Sequence, residues 1–187
     1  MTLKVISGAQ TGADIAGLWA AKHFGIKTSG YAPKGFLTLD GTHPEMMDTF
    51  GILQHKCEGY RDRTIDNLKD SGITIVCSEK MSPGTRLTIN QCKANKVRYE
   101  LAVLDPSDMV KSLDDANFII DEVKKLLERN TMLGYNYFNI NIAGNSTKNS
   151  IRSFEFTYKF CHRLFTALGY TSSVPVSDWN RYKDTWK

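Results

Sequence analysis

The stretch VISGAQTGAD, residues 5–14, decides the fold: an apolar strand end at Val5 and Ile6 passes through Gly8 and Gly12 into a helix start at Asp14. The next ten residues have helical spacing, with Ile15, Leu18 and Trp19 on one side and Gly25 placed to end the helix. A strand feeding a helix through a glycine-bearing turn is half of a βαβ unit, and the rest of the chain repeats that alternation. Strands are expected over residues 3–7, 26–31, 73–78 (ITIVCS), 98–105 and 137–144 (YFNINIAG). Helices are expected over 14–24, 60–71, 85–95, 111–129 and 149–168. Residues 32–59 carry glycine and proline without a sustained period, which predicts a long loop, a feature often tied to function. The class is α/β: a doubly wound, mainly parallel sheet with helices on both faces.

Composition agrees with one domain spanning residues 1–187, since 41% hydrophobic and 24% charged residues describe an ordinary soluble domain with one core. The sequence has neither an apolar run long enough to span a bilayer nor a basic-then-apolar leader, so no membrane partner and a cytoplasmic setting are expected. Cys57, Cys77, Cys92 and Cys161 form no C-x-x-C pair and read as reduced thiols. The net charge of +4 is spread along the chain without a basic run, which argues against a nucleic-acid footprint.

Ligands of doubly wound sheets bind beyond the carboxyl ends of the strands. Three turns there share a composition: SGAQTGAD (7–14), SEKMSPGT (78–85) and AGNSTKNS (143–150). Glycine lets backbone N–H groups approach a ligand, and the first turn of a helix favours negative charge. A phosphate or carboxylate is the expected occupant, with Gln10, Thr11, Asn145 and Ser146 offering hydrogen bonds to a sugar or base. Glycine and serine are also what strand-to-helix turns are ordinarily made of, and Asp14 has the ordinary reading of a helix cap. As a ligand contact its charge suits a ribose hydroxyl or an amine better than a phosphate. The first turn is neither a Walker loop nor the G-x-G-x-x-G fingerprint.

Taken in order, ISGAQTGAD, APKG with DGTHPE, YRDRTIDNLKDSGITIV, PGTRLT and NIAGNSTKN resemble the segments of the family named putative molybdenum carriers, over residues 3–168. Those proteins have Rossmann-like domains of the SLOG superfamily, with the Lonely-guy phosphoribohydrolases and the DNA-processing protein that loads single strands. The resemblance implies a Rossmann-like fold that binds a nucleotide-derived molecule, with no further cofactor required. It places Gly8, Gln10, Thr11 and Gly12 on the first glycine turn, Lys34 and Gly35 on a Pro-Lys-Gly step, and Arg63, Thr64 and Asn67 on an Arg-Thr-x-x-Asn helix. Gly84 and Thr85 fall on the second glycine turn, and Gly144 with Asn145 on the third. Ala9 and Pro83 stand where the family usually has glycine, so both turns are expected to approach a ligand less closely.

Lonely-guy hydrolases carry a glutamate after their second glycine turn, whereas this chain offers Arg86, Thr88 and Asn90. A hydrolase needs a group to support the departing base or activate water, so binding without turnover leads, with no catalytic residue assigned. Lys34, Arg63 and Arg86 are the cations expected near a phosphate. His43, His55 and Cys57 match no zinc spacing, and no metal is expected. The leading reading is a module that senses or sequesters an ADP-ribose-type or cyclic nucleotide signal, by analogy as a sponge acting against nucleotide-based defence. Alternatives are a phosphoribohydrolase or glycosidase acting through Asp14 or a loop carboxylate, Asp40 or Glu45, a molybdenum cofactor carrier, and single-strand binding, which lacks a clustered basic groove. The aromatic tail, with Tyr170, Trp179, Tyr182 and Trp186, should pack back on the sheet or on another copy, and a dimer or larger homo-oligomer is expected.

Overall fold

Six strands pair side by side, all parallel, in the computed structural model, which describes residues 1–185. They are β1 (Thr2–Ile6), β2 (Lys27–Ala32), β5 (Ile52–Gln54), β6 (Ile73–Ser78), β7 (Tyr99–Val103) and β8 (Tyr137–Gly144). The order is β5-β2-β1-β8-β6-β7. From β1 the chain builds outward to β2 and β5, then crosses to β6 and β7, and β8 returns to fill the gap beside β1. Val5 sits opposite Thr28 on one side and Ile140 on the other. The order therefore reverses next to β1, and the turns leaving β1, β8 and β6 meet at one edge, which is where open α/β sheets bind ligands.

Side-chain alternation along β8 assigns the two faces. Ile140 and Ile142 point to one face, where α1 (Ala13–His23) lies so close that a β-carbon on Gly17 would stand 2.6 Å from Ile142. The long helix α7 (Ser153–Ala167) packs on α1 and fills this side with Phe154, Phe156, Tyr158, Phe160 and Phe165, each at most 1% exposed. Burying each ring stabilises the fold by roughly 2–3 kcal/mol. Asn139, Asn141 and Ala143 point to the other face, covered by the packed pair α3 (Tyr60–Lys69) and α4 (Pro83–Ala94). β6 is buried along its whole length, as a central parallel strand must be.

Three expectations are corrected. Residues 32–59 are not one loop: they hold a hairpin of β3 (Leu37–Thr38) and β4 (Gly41–Thr42), the short helix α2 (Met46–Phe50), and β5, the sheet's edge strand beside β2. These pieces are too short to show a period and are anchored by single buried residues, Met46, Phe50 and Ile52. The helix expected over 111–129 is two helices, α5 (Met109–Asp115) and α6 (Asn117–Met132), broken at Ala116. The last helix begins at Ser153, because residues 146–150 form a tight turn closed by Asn149 N–H and Ser150 N–H donating to the Ser146 carbonyl.

The tail packs on helices of its own chain. Ser173 N–H donates to the His23 carbonyl at 2.8 Å, and Trp19 Nε1 donates to Thr185 Oγ1 at 2.7 Å. The Tyr182 ring lies 4.7 Å from Trp19 and 4.4 Å from His23, and Trp179 lies 6.5 Å from Phe154. The tail thus covers α1 and α7 instead of the sheet, and its docking in cis removes the ground it gave for a dimer. Trp186 lies outside the described residues.

Candidate functional site

The glycine turn after β1 holds the chain's own carboxylate. Asp14, in the first turn of α1, is not the cap: Gly12 occupies that position with φ 84°, and the Asp14 side chain folds back toward the backbone N–H groups of Gln10 and Gly8. The N–H of Gln10 donates to Asp14 Oδ2 at 3.4 Å. Arg63 reaches in from α3, its Nη1 3.8 Å from Asp14 Oδ2. Gly8 is what admits the guanidinium, since a β-carbon there would lie 1.7 Å from Arg63 Nη1. Gly12 admits the third turn in the same way, its missing β-carbon 2.4 Å from the Asn145 carbonyl that accepts from Ala13 N–H. Ala9 takes a left-handed φ of 54°, so the backbone keeps a glycine-like path despite the substitution.

The second and third turns are tied together by one side chain. Asn145 Oδ1 accepts from Ser78 Oγ and from the N–H groups of Glu79 and Lys80, and its Nδ2 donates to the Lys80 carbonyl, Ser82 Oγ and Thr85 Oγ1. It has no exposed surface. The expected ligand role for Asn145 is therefore corrected to a positioning role. Ser82 caps α4 by accepting from Thr85 N–H at 3.2 Å, and Pro83 occupies the first helical position, where its missing N–H costs nothing. The same proline removes one donor that an anion would use, so this turn is a poorer phosphate cradle than glycine would make it.

Between α3 and α4, above the end of β8, these elements enclose a cavity of about 340 Å³. Of the residues expected at a site, Gly8, Gln10, Asp14, Arg63, Asn67, Pro83, Gly84, Gly144 and Ser146 line it. Ala9, Thr11, Gly12 and Thr85 lie behind it as buried supports. Asn67 is also a brace, its amide donating to the Tyr31 carbonyl and accepting from Tyr31 N–H. Lys34 and Arg86 are exposed and lie outside the lining, Lys34 facing Glu58 at 3.8 Å, and Gly35 is likewise outside. Sequence reasoning missed Tyr60, Leu39, Leu87, Asn141 and Lys148, all on the lining. Tyr60, just before the Arg-Thr-x-x-Asn helix match, was the one with a signal: an aromatic opening a helix that already carried a site arginine. Its ring lies 5.6 Å from the Arg63 guanidinium carbon.

Burial sets the electrostatics of the floor. It pushes the Asp14 carboxyl up from 3.8 to about 6, against the pull of Arg63 and of the Gln10 and Gly8 N–H groups. Arg63 is lowered from its usual value by the same desolvation, which the Asp14 charge partly offsets. Gln10 Nε2 donates to the Leu37 carbonyl at 2.9 Å, which fixes the orientation of the amide and ties the β3–β4 hairpin to the first turn. Gln10 Oε1 and Arg63 Nε are buried and have no hydrogen-bond partner among the described residues. His55 and Cys57 are engaged elsewhere, His55 Nδ1 accepting from Cys57 N–H and Nε2 donating to Asp66. Among the described residues no cluster of three or more His, Cys, Asp or Glu side chains forms a metal-ligand set, and no helix is long and apolar enough to cross a membrane.

Against this geometry, the model of the circularly permutated YpsA SLOG family matches residues 5–165. A solved structure from Syntrophus aciditrophicus, "Putative molybdenum carrier protein", shares 28% sequence identity and superposes with a TM-score of 0.69 over 88% of this chain and 94% of its own. No curated protein is similar enough to match. The matched span contains every lining residue of the cavity and ends before the tail.

Proposed function

This chain belongs to the circularly permutated YpsA SLOG family, and from that premise we propose that it binds a nucleotide-derived, phosphate-bearing small molecule in the cleft between α3 and α4 and holds it without turnover. The observation that carries this reading is the Asp14–Arg63 pair, set 3.8 Å apart at the floor of a 340 Å³ cavity where the strand order reverses. Paired buried charges that fail to reach hydrogen-bond distance add little to stability, so their place at a switch point supports ligand contact. Tyr60 offers a ring face for a base, and exposed Lys148 at the rim offers a cation for phosphate. The ligand class we assign is an ADP-ribose-type or cyclic nucleotide signal, captured to be sensed or sequestered, with no metal or further cofactor needed for binding.

A second reading is favoured by one feature. A carboxyl raised to about 6 holds or releases a proton near neutrality, which is what hydrolysis of a glycosidic bond asks of a general acid or base. Incubation of the protein with AMP, ADP-ribose, cyclic ADP-ribose isomers, cyclic dinucleotides and molybdenum cofactor, followed by native mass spectrometry and chromatography, separates the readings. Retention of an intact nucleotide supports binding. Free base with ribose phosphate establishes the enzyme instead, and exclusive retention of the molybdenum cofactor establishes a carrier.

A further inference from the structure

Arg63 carries five N–H donors on a side chain that is 11% exposed, yet its Nε has no partner and its nearest carboxylate oxygen, on Asp14, stands at 3.8 Å. That separation is too long for a direct hydrogen bond and suits one oxygen placed between the two groups, at bonding distance from each. The chemistry of that oxygen is restricted. A phosphate oxygen accepts from Arg63 but is repelled by Asp14; an ammonium donates to Asp14 but is repelled by Arg63. A hydroxyl does both, accepting from the guanidinium and donating to the carboxylate. On the same lining, Gln10 turns its Nε2 to the Leu37 carbonyl, which leaves Oε1 as a second acceptor without a partner. One donor and two acceptors, supplied by three residues of the same lining, are together satisfied by a pair of neighbouring hydroxyls.

Resting on the nucleotide reading of the cleft, we infer that Asp14, Arg63 and Gln10 form a subsite for the free vicinal diol of a ribose, with the phosphate directed toward the rim and Lys148. The hairpin contributes by holding Gln10 through Leu37. The subsite favours mononucleotides and ADP-ribose-type molecules, whose 2′- and 3′-hydroxyls are both free. It disfavours 3′,5′-linked cyclic nucleotides and internal residues of a polynucleotide, in which the 3′-oxygen is esterified.

The test is calorimetric titration of the full chain with AMP, GMP, CMP, UMP and ADP-ribose, each mononucleotide beside its 2′,3′-dideoxy counterpart, and with 3′,5′-cyclic AMP. Two hydroxyls bonded to charged or buried groups should give the ribonucleotide that binds an advantage of at least about 30-fold over its dideoxy form. Equal affinity for both forms overturns the diol subsite and leaves the ligand class standing. Absence of binding by every ribonucleotide and by ADP-ribose overturns both. Asp14→Asn, with folding checked by circular dichroism, should reduce the advantage to about threefold or less; a folded variant that keeps the full advantage removes Asp14 from the subsite. The wild-type series decides the matter without the variant.

Discussion

Replacing Asp14 with asparagine tests whether burial or Arg63 governs the floor of the cleft. The two act in opposite directions on the carboxyl, and burial is the larger, leaving it at about 6 against an ordinary 3.8. A carboxyl raised in this way binds protons more tightly folded than unfolded, so its contribution to stability is greatest in acid and is lost as pH rises through the folded value. Over the whole range the change is roughly 3 kcal/mol; between about pH 4.5 and about pH 7 it is about 2 kcal/mol. Asp14→Asn keeps the shape, leaves Arg63 charged throughout, and deletes only this titration. Urea unfolding of both proteins across that interval should therefore show wild type losing about 2 kcal/mol relative to the variant as pH rises. A difference independent of pH would show that Arg63 cancels burial, and wild type gaining on the variant would show that Arg63 outweighs it; either would refute the reasoning.

Gly8→Ala should leave the fold within about 1 kcal/mol of wild type, because the atom its β-carbon meets is the tip of a flexible arginine, yet lower ligand affinity about tenfold or more by displacing that guanidinium from Asp14. Thermal melts and titration with AMP check the two halves separately. Asn145→Ala strips the polar groups of the second turn of the side chain that ties them to the third and should cost about 4 kcal/mol, read by urea unfolding. Ala9→Gly removes the left-handed strain at φ 54° and should stabilise by about 1 kcal/mol or less. Lys34→Ala and Arg86→Ala, both at exposed positions off the cavity lining, should change neither stability by more than about 0.5 kcal/mol nor nucleotide affinity.

The parallel sheet was legible because its central strands are apolar runs that end in glycine-bearing turns, as in ITIVCS and the stretch from Val5 to Asp14. The edge was not: β5 has only three residues, and what makes it a strand is pairing with Gly30–Ala32 of β2, a distant contact that leaves no local pattern. At the site, Asp14 was visible as a charged residue beside two glycines and Arg63 as a cation for a ligand, but their pairing was not, since nothing local connects the first turn to α3. Lys34, placed also by the Pro-Lys-Gly match, and Arg86 were put forward as cations for a phosphate, and sequence does not reveal that the segment after β2 and α4 leave both exposed off the lining. Asn145 misled for another reason: an asparagine that reaches a ligand and one whose amide is consumed by the backbone and hydroxyls of a neighbouring turn look identical in sequence, and only the six bonds it makes tell them apart.

The most direct measurement is a crystal structure of the protein soaked with ADP-ribose. The account predicts a ribose between Asp14 and Arg63, one hydroxyl within hydrogen-bond distance of both, and the intact pyrophosphate running toward Lys148. Density instead in the larger trough beside Lys4, Lys69 and Tyr137, at the opposite end of α3, or no bound nucleotide at all, would contradict it.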